Sequence, residues 1–214
     1  MDLERKIPSR AEQLSLEFGP EPRLETPSAR AVRPVLFFAI LPDPAAAARM
    51  AELGRMLRRR YDLTGPAAAA ARLHVSVFGV GGETEAGIAL ARRMGAAVTA
   101  RAFEMVLTRA VSFRGGQTRP LVLCCSDGAA AALTGLRDAL GLASDDLGQA
   151  VTWRRPFTPH LTLGHDFGAI PDTVLGDPIR WPARELVLVR SDRGLGHHAR
   201  LASWPFRPRF DRGP

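Results

Sequence analysis

The sequence predicts an α+β fold built from two related halves. Three observations carry it. Apolar or alternating runs of strand length recur along the chain, helix-forming stretches separate several of them, and one four-residue pattern occurs once in each half. No strict repeat of roughly 20–50 residues is present, which argues against a solenoid.

Residues 1–33 are rich in Pro, Glu, Arg and Ser with few periodic apolar positions, the composition of a disordered arm. Within it, AEQLSLEFG (residues 11–19) carries Gln13, Leu14, Leu16 and Phe18, a compact set suited to a hydrophobic groove. It resembles the short motif by which bacterial proteins bind the replication sliding clamp, although Glu17 interrupts the usual Leu-Phe pair. Local packing of the tail is the plainer alternative.

The folded part, residues 34–214, starts at VLFFAIL (35–41), an apolar run of buried-strand length. Pro42 and Asp43 open an alanine-rich helix that runs to about Tyr61. After a connection at Gly65 and Pro66 comes the strand RLHVSVFGV, then a helix over about 84–99. FEMVLTRAVSF (103–113), a Gly115-Gly116 turn and PLVLCC read as a hairpin. A third helix covers about 129–140, and a loop leads to PHLTLGH (159–165). RELVLVRS and ARLASWPF are two further strands, joined by a turn containing Gly194 and Gly196.

Composition narrows the classes. The chain is 46% hydrophobic and 24% charged, an ordinary globular balance. No apolar run reaches the ~18 residues of a membrane span, and the N-terminus lacks the zones of a secretory signal, so we expect a cytoplasmic protein with no membrane contact. The absence of heptads argues against a coiled coil, and a monomer is expected. Cys124 and Cys125 are adjacent in an apolar run and read as reduced strand residues rather than a disulfide framework. Net charge is +7, with Lys6 the only lysine. Residues 1–34 carry six acids and six bases, so the excess lies beyond them. From Arg180 to Pro214 there are eight arginines against Glu185, Asp192 and Asp211, a segment suited either to phosphate contact or to a solvated face.

The chemistry is carried by HVSV (74–77) and HLTL (160–163), each a histidine, an aliphatic, a hydroxyl residue and an aliphatic. Strand side chains alternate between faces. His74 and Ser76 therefore share one face, His160 and Thr162 another, while the aliphatics pack beneath. Side by side, two such strands bring together two imidazoles and two hydroxyls. Phosphodiester hydrolysis without a metal needs that set: one imidazole deprotonates water, the other protonates the leaving oxygen, and hydroxyls bind non-bridging phosphate oxygens.

The pair LHVSVFG and PHLTLGH resembles the duplicated His-x-Thr/Ser signature of the 2H phosphoesterases. The branch most similar is the bacterial RNA 2′,3′-cyclic phosphodiesterase, also called 2′-5′ RNA ligase; LVLVRSDRGLGHHARLASWPF resembles the end of that branch. The resemblance covers roughly residues 35–206. It implies a bilobal duplicated fold, each lobe an antiparallel sheet with outer helices and a catalytic cleft between. It also implies metal-independent opening of a 2′,3′-cyclic phosphate at an RNA 3′ end to a 2′-phosphate, with no cofactor and possible weak reverse 2′-5′ ligation. His74 and His160 would be the acid and base, in that order by family precedent, with Ser76 and Thr162 on the phosphate. Where relatives often carry Arg or Lys after the second motif, this chain has His165; that residue, Arg155 or the C-terminal arginines could replace the charge. Continued alternation would put His165 on the strand face opposite His160. His197 and His198 are expected in an exposed turn.

Rival readings are weaker. A lysyl-adenylate ligase would need a lysine outside the arm, and no phosphate loop of the Gly-x4-Gly-Lys type occurs. None of the five histidines forms a His-x3-His pair, so no metal site is expected. A non-catalytic RNA-binding or clamp-associated module, or a 2H phosphoesterase acting on a small cyclic nucleotide, are the remaining alternatives.

Overall fold

The apolar run at the start of the folded part is the strand β1, Val35–Ile40. In this computed structural model residues 34–114, 116–149, 156–192 and 197–208 are described. The arm with its Gln13–Phe18 segment, Gly115, Arg155, and Gly194 and Gly196 lie outside the described residues.

Each of the three α-helices begins where its sequence supplies a cap. Asp43 accepts a hydrogen bond from the Ala46 amide at 2.8 Å and opens α1, Pro44–Arg60, with Pro44 in the first turn and Arg58, Arg59 and Arg60 in the last. After β2, Val75–Gly82, Thr84 accepts from the Gly87 amide at 2.9 Å and opens α2, Glu85–Ala97. The hairpin of β3, Phe103–Ser112, and β4, Arg119–Cys125, follows as expected. Ser126 then caps α3, Asp127–Asp146. That helix runs about two turns past the expected end. Gly141 is not a stop, because it is buried with Ala143 and Ser144 and tertiary packing extends the helix through it.

β5, His160–Asp166, is followed by a strand the sequence did not announce, β6, Thr173–Ala183. Gly176, Pro178 and Pro182 disguise it. It is an edge strand paired only with β3, where proline costs no ladder bond on the free side. β7, Glu185–Asp192, and β8, His197–Pro205, complete the set.

The eight strands form one antiparallel sheet in the order β6-β3-β4-β5-β2-β1-β7-β8. Its two four-stranded blocks meet at the seam between β5 and β2, where Val75 and Leu161 are the paired residues. Each block is one lobe, and the seam lies under the site. The lobes are not the two halves of the sequence. β3 and β4 join β5 and β6, and the chain returns to β1 and β2 only with β7 and β8.

One face of the sheet carries Leu36, Phe38, Val75, Val77, Leu161, Leu163, Leu186 and Leu188, packed with Met50, Leu133 and Leu140 of the helices in a continuous core. Trp204 of β8 belongs to this side, 5.8 Å from Phe38. The other face keeps a small apolar cluster of strand residues only, Ala39, Val187 and Val189, with Phe37 and Leu41 against it. That face, free of helices among the described residues, carries the motif histidines. No helix among the described residues is long and apolar enough to cross a membrane.

Candidate active site at the seam between the lobes

Val75 and Leu161 are fully buried and pair antiparallel across the seam. Counting outward from that pair sets His74 against Thr162 and Ser76 against His160. Alternation turns all four side chains to the helix-free face, because their neighbours Leu73, Val75, Val77, Leu161 and Leu163 all enter the core. His74, His160 and Thr162 are half-buried and Ser76 is exposed. The four motif residues thus form a two-by-two array in which each imidazole faces the hydroxyl of the other strand.

Both imidazoles are oriented by the same device. His74 Nδ1 lies 2.7 Å from the Arg72 carbonyl, and His160 Nδ1 lies 2.7 Å from the Thr158 carbonyl. A carbonyl only accepts, so each Nδ1 carries the proton and each neutral ring has its lone pair on Nε2. Each ring also rests on a phenylalanine: His74 on Phe37 at 4.9 Å between centroids, His160 on Phe113 at 5.0 Å. Burial lowers the basicity of His74, and the charges of Arg72 and His160 act in the same direction, while the Arg72 carbonyl opposes them.

A cavity of about 280 Å³ opens on the His74 side of the array, lined by Arg72, His74, Thr162, His165 and His198 and by the loop at Pro66–Ala68. His160 and Ser76 are not part of its wall. Among the described residues this cavity therefore reaches the His74–Thr162 half of the array.

His165 corrects the alternation argument. Leu121 pairs with Gly164 but Val122 pairs with Thr162, a β-bulge at Leu163 and Gly164 that takes up one extra residue. The bulge returns His165 to the face of His160 and Thr162, exposed on the cavity wall, and sends Asp166 inward. His198 is a second correction. It lies in β8 rather than a turn and is half-buried, its ring 5.1 Å from His74 and 5.8 Å from Phe37. Burial, then the neighbouring His74, Arg72 and His197, push it down to about 4. His197 is exposed, 3.1 Å from the Asp192 carboxylate.

The cavity wall is clamped from behind. Arg58 donates to the carbonyls of Gly65 and Pro66, the latter at 2.9 Å. Asp166 accepts from the amides of Gly65 and Gly168, and Arg58 lies 3.6 Å away. Those two amides, with Arg58, hold the Asp166 carboxyl below its usual range. Ala68 donates to the Leu163 carbonyl at 2.8 Å, and Ala67 bridges to Gly164.

Three of the described C-terminal arginines are held in ion pairs. Arg180 pairs with Glu104, Arg190 with Glu83 and Asp192, and Arg200 with Glu185. Cys124 and Cys125 are free thiols in β4; burial pushes Cys125 up to about 12, so it is inert near neutrality. Among the described residues no group of three or more His, Cys, Asp or Glu is arranged to hold a metal ion. Sequence reasoning missed Arg72, Phe37 and Phe113. Arg72 stands two positions before His74 and could have been singled out; the two phenylalanines give no signal before the strands are paired.

Comparisons with known proteins bear on the fold and the family. The family model of the 2′-5′ RNA ligase superfamily matches residues 41–195. No curated protein sequence matches significantly. Among solved structures, TT0787 of Thermus thermophilus is 20% identical, with 81% of this chain and 98% of that one covered and a TM-score of 0.65. E. coli LigT complexed with NADP+ is 24% identical, covering 82% and 98%, with a TM-score of 0.63. E. coli LigT complexed with 3′-AMP is 23% identical, covering 81% and 98%, with a TM-score of 0.62. These likenesses concern the fold, and the family model spans most of the chain and both histidine motifs, so the chain belongs to the 2′-5′ RNA ligase superfamily of 2H phosphoesterases.

Proposed function

We propose that this phosphodiesterase-type enzyme opens 2′,3′-cyclic phosphates at RNA 3′ ends to 2′-phosphates, using His74 and His160 as the acid/base pair and no metal. The observation that carries the reading is the matched pair of imidazoles, each fixed through Nδ1 with Nε2 left for proton transfer and each opposite a hydroxyl. One Nε2 takes a proton from water as its oxygen bonds to phosphorus. The bond from phosphorus to the 3′ oxygen breaks, and the other Nε2–H protonates that oxygen. Ser76 and Thr162 donate to the non-bridging oxygens as charge builds there. The pair ends with its protonation states exchanged and resets through solvent. The 3′-AMP complex of a structural neighbour is consistent with a nucleotide in such a cleft.

The test is hydrolysis of a 2′,3′-cyclic-phosphate RNA oligonucleotide in EDTA by wild type, His74→Ala and His160→Ala. The expected result is metal-free turnover to a 2′-phosphate, reduced about a hundredfold or more in each variant. A folded wild type without turnover would sink the RNA-end assignment.

A further inference from the structure

The four motif side chains supply no permanent charge, since the one imidazole that starts protonated gives its proton to the leaving oxygen. Two are neutral hydroxyls, and burial favours the neutral form of His74. A phosphodiester carries a full negative charge and, in a half-buried site, needs a positive one near it. The cavity supplies it. Its described wall contains no carboxylate and one permanent cation, Arg72.

We propose that Arg72 is the phosphate-binding cation of this site, its guanidinium holding the non-bridging oxygens on the His74–Thr162 side of the array. The assignment rests on reading the seam as a phosphate site, and it adds the residue that sets affinity there.

Three observations support it. Arg72 is fixed at its backbone to the catalytic machinery. It ends the short 3₁₀ helix Ala70–Arg72, its amide donates to the Ala69 carbonyl at 2.8 Å, and its own carbonyl orients His74. Its side chain is exposed and pairs with no carboxylate among the described residues, so it meets an incoming anion without first breaking an ion pair. Other arginines are committed: Arg58 to the loop clamp, Arg109 to Asp172, Arg190 to Glu83 and Asp192.

The electrostatics agree. The charge of Arg72 disfavours protonation of both His74 and His198, which places its field over the cavity. The carboxylate that acts on His198 is Asp192, and it is already held by Arg190 at 3.0 Å and His197 at 3.1 Å. A guanidinium presents parallel N–H donors that match two phosphate oxygens, and such charge-assisted bonds are roughly twice as strong as neutral ones.

The test is direct binding of inorganic phosphate to the full chain in EDTA at neutral pH and low salt, by NMR or calorimetric titration. Wild type is compared with Arg72→Ala, Arg72→Lys and, as a control for losing one surface charge, Arg109→Ala. We expect Arg72→Ala to weaken binding about tenfold or more, Arg72→Lys to restore part of it, and Arg109→Ala to change it less than about threefold. Phosphate bound equally by wild type and Arg72→Ala overturns the assignment. So does equal weakening by Arg109→Ala, or no binding by folded wild type. The readout needs no turnover: phosphate held through Arg72 by a protein that opens no cyclic phosphate supports Arg72 and overturns only the proposed reaction.

Discussion

Ser76 and His160 stand opposite one another across the seam between β2 and β5, and the same register sets His74 against Thr162. Each hydroxyl therefore faces the histidine of the other lobe. A slip of one residue by either strand would turn its own histidine and hydroxyl into the core. The buried Val75–Leu161 pair prevents it.

The cross-pairing makes the hydroxyls separable from the imidazoles. Removing a preorganised donor to a developing oxyanion costs about 10²–10³ in kcat. Thr162→Val should fall in that range, with Thr162→Ser nearly restored, because only the hydroxyl is required. Ser76 is more exposed, so Ser76→Ala should cost less, on the order of tenfold. Steady-state rates on the cyclic-phosphate oligonucleotide check both. Equal activity of Thr162→Val and wild type would remove Thr162 from the phosphate site.

The shared Nδ1 contacts predict a spectroscopic signature. With both Nδ1 atoms 2.7 Å from carbonyl oxygens, the neutral rings of His74 and His160 should show the Nδ1–H tautomer in nitrogen-15 spectra. Asparagine at either position keeps an amide near Nδ1 but removes Nε2. His74→Asn and His160→Asn should fold normally and lose about 10²–10⁴ in rate. An Nε2–H tautomer at either ring would contradict the proton path proposed above.

Both histidine strands, the three helices and the α+β class were legible in the sequence, because alternation and N-caps are local signals. The partition into lobes was not. PLVLCC follows β3 in the sequence and pairs with it, but what joins β3 and β4 to β5 is Cys124 opposite His160 and Val122 opposite Thr162, relations between distant segments. β6 was hidden by prolines that an edge strand tolerates. His165 and His198 were misplaced for different reasons. A bulge at Leu163 and Gly164 shifts the alternation, and the pairing of His198 with Ser191 extends β8 into what read as a turn.

His198 gives the protein an acid-sensitive element. Its folded value, pushed to about 4, lies below its ordinary 6.5. Between those values the unfolded chain binds more protons than the native one, so stability falls as pH drops through that window and levels off below it. His198→Phe keeps a ring against His74 and Phe37 but cannot titrate. Its urea midpoint should decline less than that of wild type between about pH 7 and about pH 4. Parallel curves would show that His198 is protonated as freely in the native state as in the unfolded chain.

The cavity wall depends on a glycine. Gly164 sits at the bulge with φ +151°, a conformation that L side chains rarely adopt. A Cβ there would lie 2.3 Å from Arg58 Nη2 and 2.4 Å from the Pro66 carbonyl oxygen, so it meets backbone as well as a clamped side chain. Relief requires the loop at Pro66–Ala68 to move away from β5, which breaks the Ala68-to-Leu163 hydrogen bond and opens the cavity beside Thr162 and His165. Gly164→Ala should therefore lose about 1–3 kcal/mol of stability in denaturant titration. His74 is held by the Arg72 carbonyl and His160 by the Thr158 carbonyl, not by the loop at Pro66–Ala68. The residual activity should accordingly show a raised KM more than a lowered kcat. A variant as stable as wild type with unchanged KM would show that the loop is not held to the bulge in solution.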